Sequence, residues 1–395
     1  MPPTPSQTPK PAPFFESPTG KRAIYYHTSW ACYGRDFHVR QLPIDKLTDV
    51  AYAFFNVGAD GRVFSGDAWA DFDNPLAGKG VDPQNAPPHG NLGQFAKLRA
   101  AGKRFNMTLA VGGWSWSGRF SEAVATAQTR ETFVASLVDV FGRYPGLFNG
   151  VSVDWEYVSD DGKNYGLDGN TARPEDAANL VRLLKLLRAR LPGFRLSLCV
   201  TAAPEKIKMP VAKIHPLVEE IHVMTYDFMD GRWGGGVAGH QANLRPAPGC
   251  PYSVEQAVAA WRALGVPARK LFVGAAFYSR GFSGTDGLGK PCTGGSPDKS
   301  WEDGVVDYKA LPLPGAKELW DPVAQAGYSY DAAKRVLNSY DTPRSVLEKC
   351  RFVHAQDLGG VLVWESSGDH PFEHPRSLMR VIHQNLTHGR PPPVK

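Results

Sequence analysis

Asp154 and Glu156 stand two residues apart in the stretch Phe-Asn-Gly-Val-Ser-Val-Asp-Trp-Glu-Tyr over residues 148–157, a spacing suited to acid–base chemistry. In an extended chain side chains alternate, so Val151, Val153 and Trp155 share one face and Ser152, Asp154 and Glu156 the other. Gly150 opens the run, a helical pattern precedes it, and a Gly/Asp/Asn-rich loop follows. That is the setting of a parallel strand covered on both faces. Two carboxylates on one buried face are costly to keep and repel each other, so one tends to hold its proton near neutral pH. A proton held there can be given to a leaving group. An acidic strand end facing water would have no such chemistry.

The elements that must position this pair repeat one theme of β-rich run, loop and helix. The spacing predicts strands over 23–29, 49–57, 104–111, 151–156, 195–201, 220–226, 271–278 and 360–364. Helices are predicted between them over 129–141, 174–190, 253–264 and 343–355. The clearest begins at Pro174, repeats apolar residues at Ala177, Leu180, Val181, Leu184 and Leu187, and stops at Pro192 and Gly193. Eight such units predict the α/β class, as a (β/α)8 TIM barrel with a small α+β insertion after strand seven. A doubly wound sheet is the alternative. The expected organisation is a Pro-rich, disordered segment over 1–20, a catalytic barrel over 21–388 with the insertion at 282–340, and a tail over 389–395.

A barrel's active site lies at the C-terminal ends of its strands. Those ends carry Tyr25 and Tyr26, Gly112-Gly113-Trp114, Asp154 and Glu156, Met224-Thr225-Tyr226-Asp227, Tyr278-Ser279-Arg280, and Trp364-Glu365. Aromatics for the flat faces of sugar rings, with acids and amides for their hydroxyls, describe a carbohydrate cleft. Some of the ten tryptophans are core filler instead, Trp261 on a helix among them.

Composition narrows the classes. The 395 residues are 42% hydrophobic and 21% charged, which is globular. The net charge of +5 is scattered without a basic run, against a nucleic-acid partner, and no apolar window is long enough to span a bilayer. The N-terminus has no apolar signal core. Five widely spaced cysteines leave at least one thiol unpaired within the chain; Cys199 falls in an apolar strand, while Cys250 and Cys292 lie in loops and could pair. No cysteine–histidine spacing supports a metal site, and His370 and His374 lack further ligands. The Gly-rich run over 231–239 lacks phosphate-loop spacing and reads as a loop over the cleft.

The motifs resemble those of glycoside hydrolase family 18, the chitinases. Residues 148–156 resemble its strand-four Asp-Gly-x-Asp-x-Asp-x-Glu, 110–114 its Ser-x-Gly-Gly-Trp, 224–227 its Met-Thr-Tyr-Asp, and 359–364 its Gly-Gly-x-x-x-Trp. The resemblance runs in order from about Ala23 to His383, and the long gap after strand seven is similar to the insertion of one branch. It implies a chitinase acting by substrate assistance, without metal or cofactor. Glu156 would be the acid/base. Asp154 and Tyr226 would orient the substrate's acetamido group, and Asp227 would hold the distorted sugar. Tyr25, Trp114, Met224, Trp233, Tyr278, Arg280 and Trp364 would bind substrate. The implied partner is chitin or a chitooligosaccharide, with no membrane contact, for a monomer; the family weakly favours secretion.

Three positions depart from the pattern: Ser152 for the middle Asp, Ala110 for the strand-three Ser, and Asn149 for the first Asp. Loss of the middle acid together with its supporting hydroxyl should leave no half-satisfied group and should let Asp154 titrate lower than in the usual triad. Such a chain could instead be a chitin-binding lectin, or an endo-β-N-acetylglucosaminidase on N-glycans. The acid at Glu156 argues against the first, and Trp155 and Tyr157 beside it against the second.

Overall fold

A computed structural model describes residues 9–75, 87–158, 172–233 and 235–391. Residues 1–8 and 392–395, the loop after Val158 and one residue of the Gly-rich run at 231–239 lie outside the described residues.

Eight parallel strands form the barrel: β1 Arg22–Thr28, β2 Asp49–Val57, β3 Asn106–Gly112, β4 Gly150–Asp154, β5 Arg195–Thr201, β6 Glu220–Met224, β7 Leu271–Ala276 and β8 Gly360–Trp364. Each pairs with its neighbours in chain order, and β1 pairs with both β2 and β8, so the sheet closes. Alternation sorts the side chains into two cores. Val151, Val153 and Trp155 join the large outer core between strands and helices, with Ala23 and Tyr25. Ile24, Tyr26, Ala110, Cys199 and Phe272 fill the inner core on the barrel axis.

The covering helices start where local chemistry satisfies their first N–H groups. Ala127–Arg143 follows Thr126, whose hydroxyl accepts from the Thr129 N–H. Pro343–Ala355 has its proline at the first position and Thr342 as cap. Trp261, on the helix Val254–Ala263, is buried and donates its indole N–H to the Thr201 carbonyl at 3.1 Å. It is core filler, as expected.

Between β7 and the helix Pro343–Ala355 lies a five-stranded antiparallel sheet of Ser279–Ser283, Gly294–Gly295, Lys317–Asp321, Ala326–Asp331 and Val336–Tyr340. Its regular structure is strand plus one 3-10 turn, Tyr308–Ala310. Two residues separate the end of β7 from Ser279–Ser283, so this sheet is rooted at the catalytic end of the barrel. All five cysteines are free thiols, including Cys250 and Cys292, which share a small apolar cluster with Met229 and Phe282.

At the opposite end, the Pro-rich segment is packed rather than loose from Ala12 onward. The Ala12 N–H donates to the Phe148 carbonyl at 2.8 Å. The Phe14 ring lies 3.5 Å from the Arg195 guanidinium and 4.8 Å from that of Arg22. Asn106 exchanges two hydrogen bonds with the Phe15 backbone, at 2.9 and 2.7 Å. Two guanidiniums stacked on one ring and paired amides hold the segment against the strand starts.

Candidate active site

The pair that opened the sequence reading stands at the floor of a cleft of about 1490 Å³ at the C-terminal ends of the strands. That exceeds a pocket for one small ligand and suits a chain of sugar rings. β4 ends at Asp154, and the chain then turns, so Glu156 lies just beyond the strand. Ser117 holds that turn: its hydroxyl donates to the Gly113 carbonyl at 2.8 Å and accepts from the Glu156 N–H at 2.9 Å. Gly112 permits the approach, because a Cβ there would sit 2.2 Å from the Asp154 carbonyl oxygen, and its φ of +106° is disfavoured for other residues. Trp155 anchors the turn from the other side by stacking on Phe120 at 5.3 Å.

Asp154 is buried and Glu156 is half-buried at the cleft. Burial pushes both carboxyls well above their ordinary range, and the Asp154 charge pushes Glu156 further. Glu156 is therefore the group that holds a proton. Absence of a middle acid does not give Asp154 an ordinary pKa, because desolvation outweighs it. Nor does the departure leave every group satisfied: Asp154 Oδ1 is buried without an aligned hydrogen bond. Ser152 and Ala110 are fully buried register neighbours, and Ser152 Oγ lies 3.6 Å from Cys199 Sγ.

Tyr226 faces the same floor, edge-on to Tyr278 at 6.2 Å. Gly274 makes room for it, since a Cβ there would meet the Tyr226 ring at 2.6 Å. Burial first, then the neighbouring Tyr278, Cys199 and carboxyls, keep the Tyr226 phenol protonated far above neutral pH, so it is a hydrogen-bond donor. Asp227 has a left-handed backbone, φ 60°, which a short polar side chain tolerates. Its carboxylate accepts from the Tyr278 hydroxyl at 2.7 Å and from Arg280 Nε and Nη2 at 2.7 and 2.9 Å. Tyr278 and Arg280 are thus committed to holding Asp227.

Trp364 and Phe54 stack at 5.6 Å on the cleft floor, and Met224 lines it. Trp114 and Trp233 line the cleft and are 45% and 51% exposed. The Arg280 guanidinium lies 4.9 Å from the Trp233 ring.

Tyr25 is not in the cleft. It points outward into the helix-facing core, near Cys350 and Asp369, and Tyr26 is the β1 residue that lines the site. Two adjacent tyrosines occupy opposite faces of a strand, and barrel closure turns the second one inward. Asn149, at the other end of β4, is structural: its Oδ1 accepts from the Met107 N–H at 2.9 Å and its Nδ2 donates to Asn106 Oδ1 at 3.0 Å. A carboxylate could not make that donation.

Several residues of the site carried no usable sequence signal: Trp30, Arg35, Trp301 and Glu302 line the cleft, and the buried Ser117 holds the turn at Glu156. Trp301 comes from the insertion's loop between Gly294–Gly295 and Lys317–Asp321 and meets the loop after β1, where a Cβ on Gly34 would touch its ring at 2.6 Å. The Arg35 guanidinium lies 4.9 Å over that ring. Only a charge pattern next to an aromatic could have hinted at this wall.

Among known proteins, the model of the family "Glycosyl hydrolases family 18" matches residues 22–369. The chain is 36% identical to Endochitinase 1 of Metarhizium robertsii, over 92% of this chain and 85% of that protein. It is 35% identical to Chitinase 1 of Aphanocladium album over the same shares. The structure of the catalytic domain of psychrophilic chitinase B from Arthrobacter TAD20 superposes with a TM-score of 0.83 at 28% identity, over 95% of this chain and 98% of that one. The matched span covers all eight barrel strands and the acids at their ends, and the chain accordingly belongs to glycosyl hydrolase family 18 and is a glycoside hydrolase.

Proposed function

We propose that this enzyme is a chitinase that cleaves β-1,4 bonds between N-acetylglucosamine units with retention, using the substrate's own acetamido group as nucleophile. The observation that carries the reading is the Asp154–Glu156 pair lining the cleft, Asp154 buried and Glu156 half-buried, in which desolvation and the Asp154 charge leave a proton on Glu156 near neutral pH. Glu156 gives that proton to the glycosidic oxygen as the bond to the anomeric carbon breaks. The acetamido oxygen attacks the same carbon and closes an oxazolinium ring. Asp154 accepts a hydrogen bond from the acetamido N–H and balances the developing positive charge. Tyr226 donates to the acetamido oxygen and keeps it in line. Glu156, now a carboxylate, takes a proton from the water that opens the ring from the face the leaving group left.

Trp364 underlies the sugar at the cleavage point, and Trp114 and Trp233 stack its neighbours. Asp227, held by Tyr278 and Arg280, binds polar groups of the distorted sugar. The names of the relatives, endochitinase and chitinase, support the same substrate class.

The test is hydrolysis of short chitooligosaccharides, with product anomers followed by NMR and Glu156→Gln as control. Initial release of the β-anomer is expected, with the rate falling roughly 10²–10⁴-fold or more in the variant. Initial α-anomer would remove the mechanism. Binding without turnover in the parent enzyme would mean a lectin.

A further inference from the structure

Glu156 stands beyond the ladders of its own strand. β4 pairs with β3 as far as Asp154 and with β5 as far as Val153. The partner for the Glu156 N–H comes from the turn after β3 instead. That turn closes on itself and on β4: the Trp116 N–H donates to the Gly113 carbonyl at 3.2 Å, and the Gly113 N–H donates to the Asp154 carbonyl at 2.8 Å. Ser117, 1% exposed, ends it. Its hydroxyl donates to the Gly113 carbonyl at 2.8 Å, lies 3.2 Å from the Asp154 carbonyl oxygen, and accepts from the Glu156 N–H at 2.9 Å.

A second grip comes from the residue that follows the turn. The Phe120 N–H donates to the Ser117 carbonyl at 3.2 Å, and the Phe120 ring stacks on Trp155 at 5.3 Å and 14°. One short stretch of chain therefore holds the ring beside the acid and the amide of the acid itself. The same turn carries Trp114 and Trp116, both of which line the cleft. The acid's backbone and two aromatic rings belong to one hydrogen-bonded unit. The place demands a hydroxyl, because the side chain must donate to a carbonyl and accept from an N–H at once. Alanine does neither, and leaves both groups short of a partner where water has little access.

We propose that Ser117 is a positioning residue for Glu156: its hydroxyl fixes the acid's backbone against the tryptophan turn, and so sets how closely the protonated carboxyl meets the glycosidic oxygen of a bound chain. Ser117 touches no reacting atom. Its effect passes through the place of one carboxyl, whose proton transfer requires hydrogen-bond reach of the leaving oxygen. This role rests on the proposed function and deepens it.

The experiment uses two substrates that differ in how much they need an acid. Chitooligosaccharides leave as alcohols and require the proton from Glu156; the dinitrophenyl group of dinitrophenyl chitobioside leaves as a stable anion and does not. Single-turnover release is followed for both, so that only the first bond cleavage is read. Ser117→Ala should lower the rate on chitooligosaccharides by roughly 10–100-fold with KM little changed. On dinitrophenyl chitobioside the loss should stay below about threefold, as it should in Glu156→Gln. Ser117→Thr, which keeps the hydroxyl, should restore most of the rate on chitooligosaccharides. Melting curves check that each variant is folded, and if Ser117→Ala is not, Ser117→Cys, whose thiol is a weaker donor and acceptor, carries the same comparison. Equal losses on the two substrates, or a loss confined to KM, overturn the proposal and leave Ser117 a structural residue. A parent enzyme inert on both substrates, or a Glu156→Gln enzyme that loses equally on both, removes the functional reading and this role with it.

Discussion

The two ends of this barrel bury acids in opposite ways. At the lower end Arg22 pairs with Asp49 and Glu220, Arg195 lies 3.4 Å from Glu220, and Asn149 donates an amide hydrogen bond to Asn106. At the upper end Asp154 and Glu156 face each other with no cation paired to either among the described residues, and Asp154 Oδ1 has no aligned partner. The same eight strands carry both arrangements. Pairing makes a buried acid an ionised structural member, while withholding the cation makes it a group that keeps a proton for chemistry.

The most damaging way to break this contrast is to give the lower end the upper end's condition. Arg22→Met leaves Asp49 and Glu220 without their main counter-charge. Denaturant unfolding should show a loss of about 3–5 kcal/mol; a loss below 1 kcal/mol would mean that water already relieves those acids. A milder test restores the family's acid at the strand start. Asn149→Asp loses the donation to Asn106 and sets two oxygens against each other, and should cost about 1–3 kcal/mol by the same measurement.

The smallest effect, and the sharpest, is in pH. Asp154 and Glu156 have folded-state pKa values above their unfolded ones, so the folded chain holds protons that the unfolded chain releases. Their contribution to stability is complete below about pH 4 and is lost as pH rises toward neutral. Glu220 is the reverse: its contribution is present above about pH 4.5 and is lost only in strong acid. Glu156→Gln should therefore melt about 2–4 °C above the parent at pH 7, with the gap closing near pH 4. Glu220→Gln should melt below the parent at pH 7. Melting curves of both variants across this range check the two signs, and a Glu156→Gln gap independent of pH would remove the protonated acid from the account.

Much of this was legible in the chain. The valines and tryptophan of β4 alternate with Ser152, Asp154 and Glu156, and steric limits on an extended backbone send them to opposite faces whatever surrounds them. The helix over Asp176–Arg190 follows from its apolar period, and the acid at Glu156 and the aromatics at strand ends follow from motif and order. Tyr25 was misread because both tyrosines of β1 are amphipathic and neither marks the inside. Cys199 is the buried strand residue that its apolar surroundings in the chain indicated; its contacts with Tyr26 Oη and Ser152 Oγ come from other strands and left no mark in the local sequence. Ser117, Trp301 and Arg35 sit in loops whose courses no local period sets.

Local alternation and helical period thus specified which residues share a face, because those depend on bonds within a few residues. Which faces meet depended on barrel closure, which brings Tyr26 to Cys199 across 173 residues and His222 to Tyr26 across 196. Contacts at that separation arise from the packing of the whole sheet, and no short stretch of this chain encodes them.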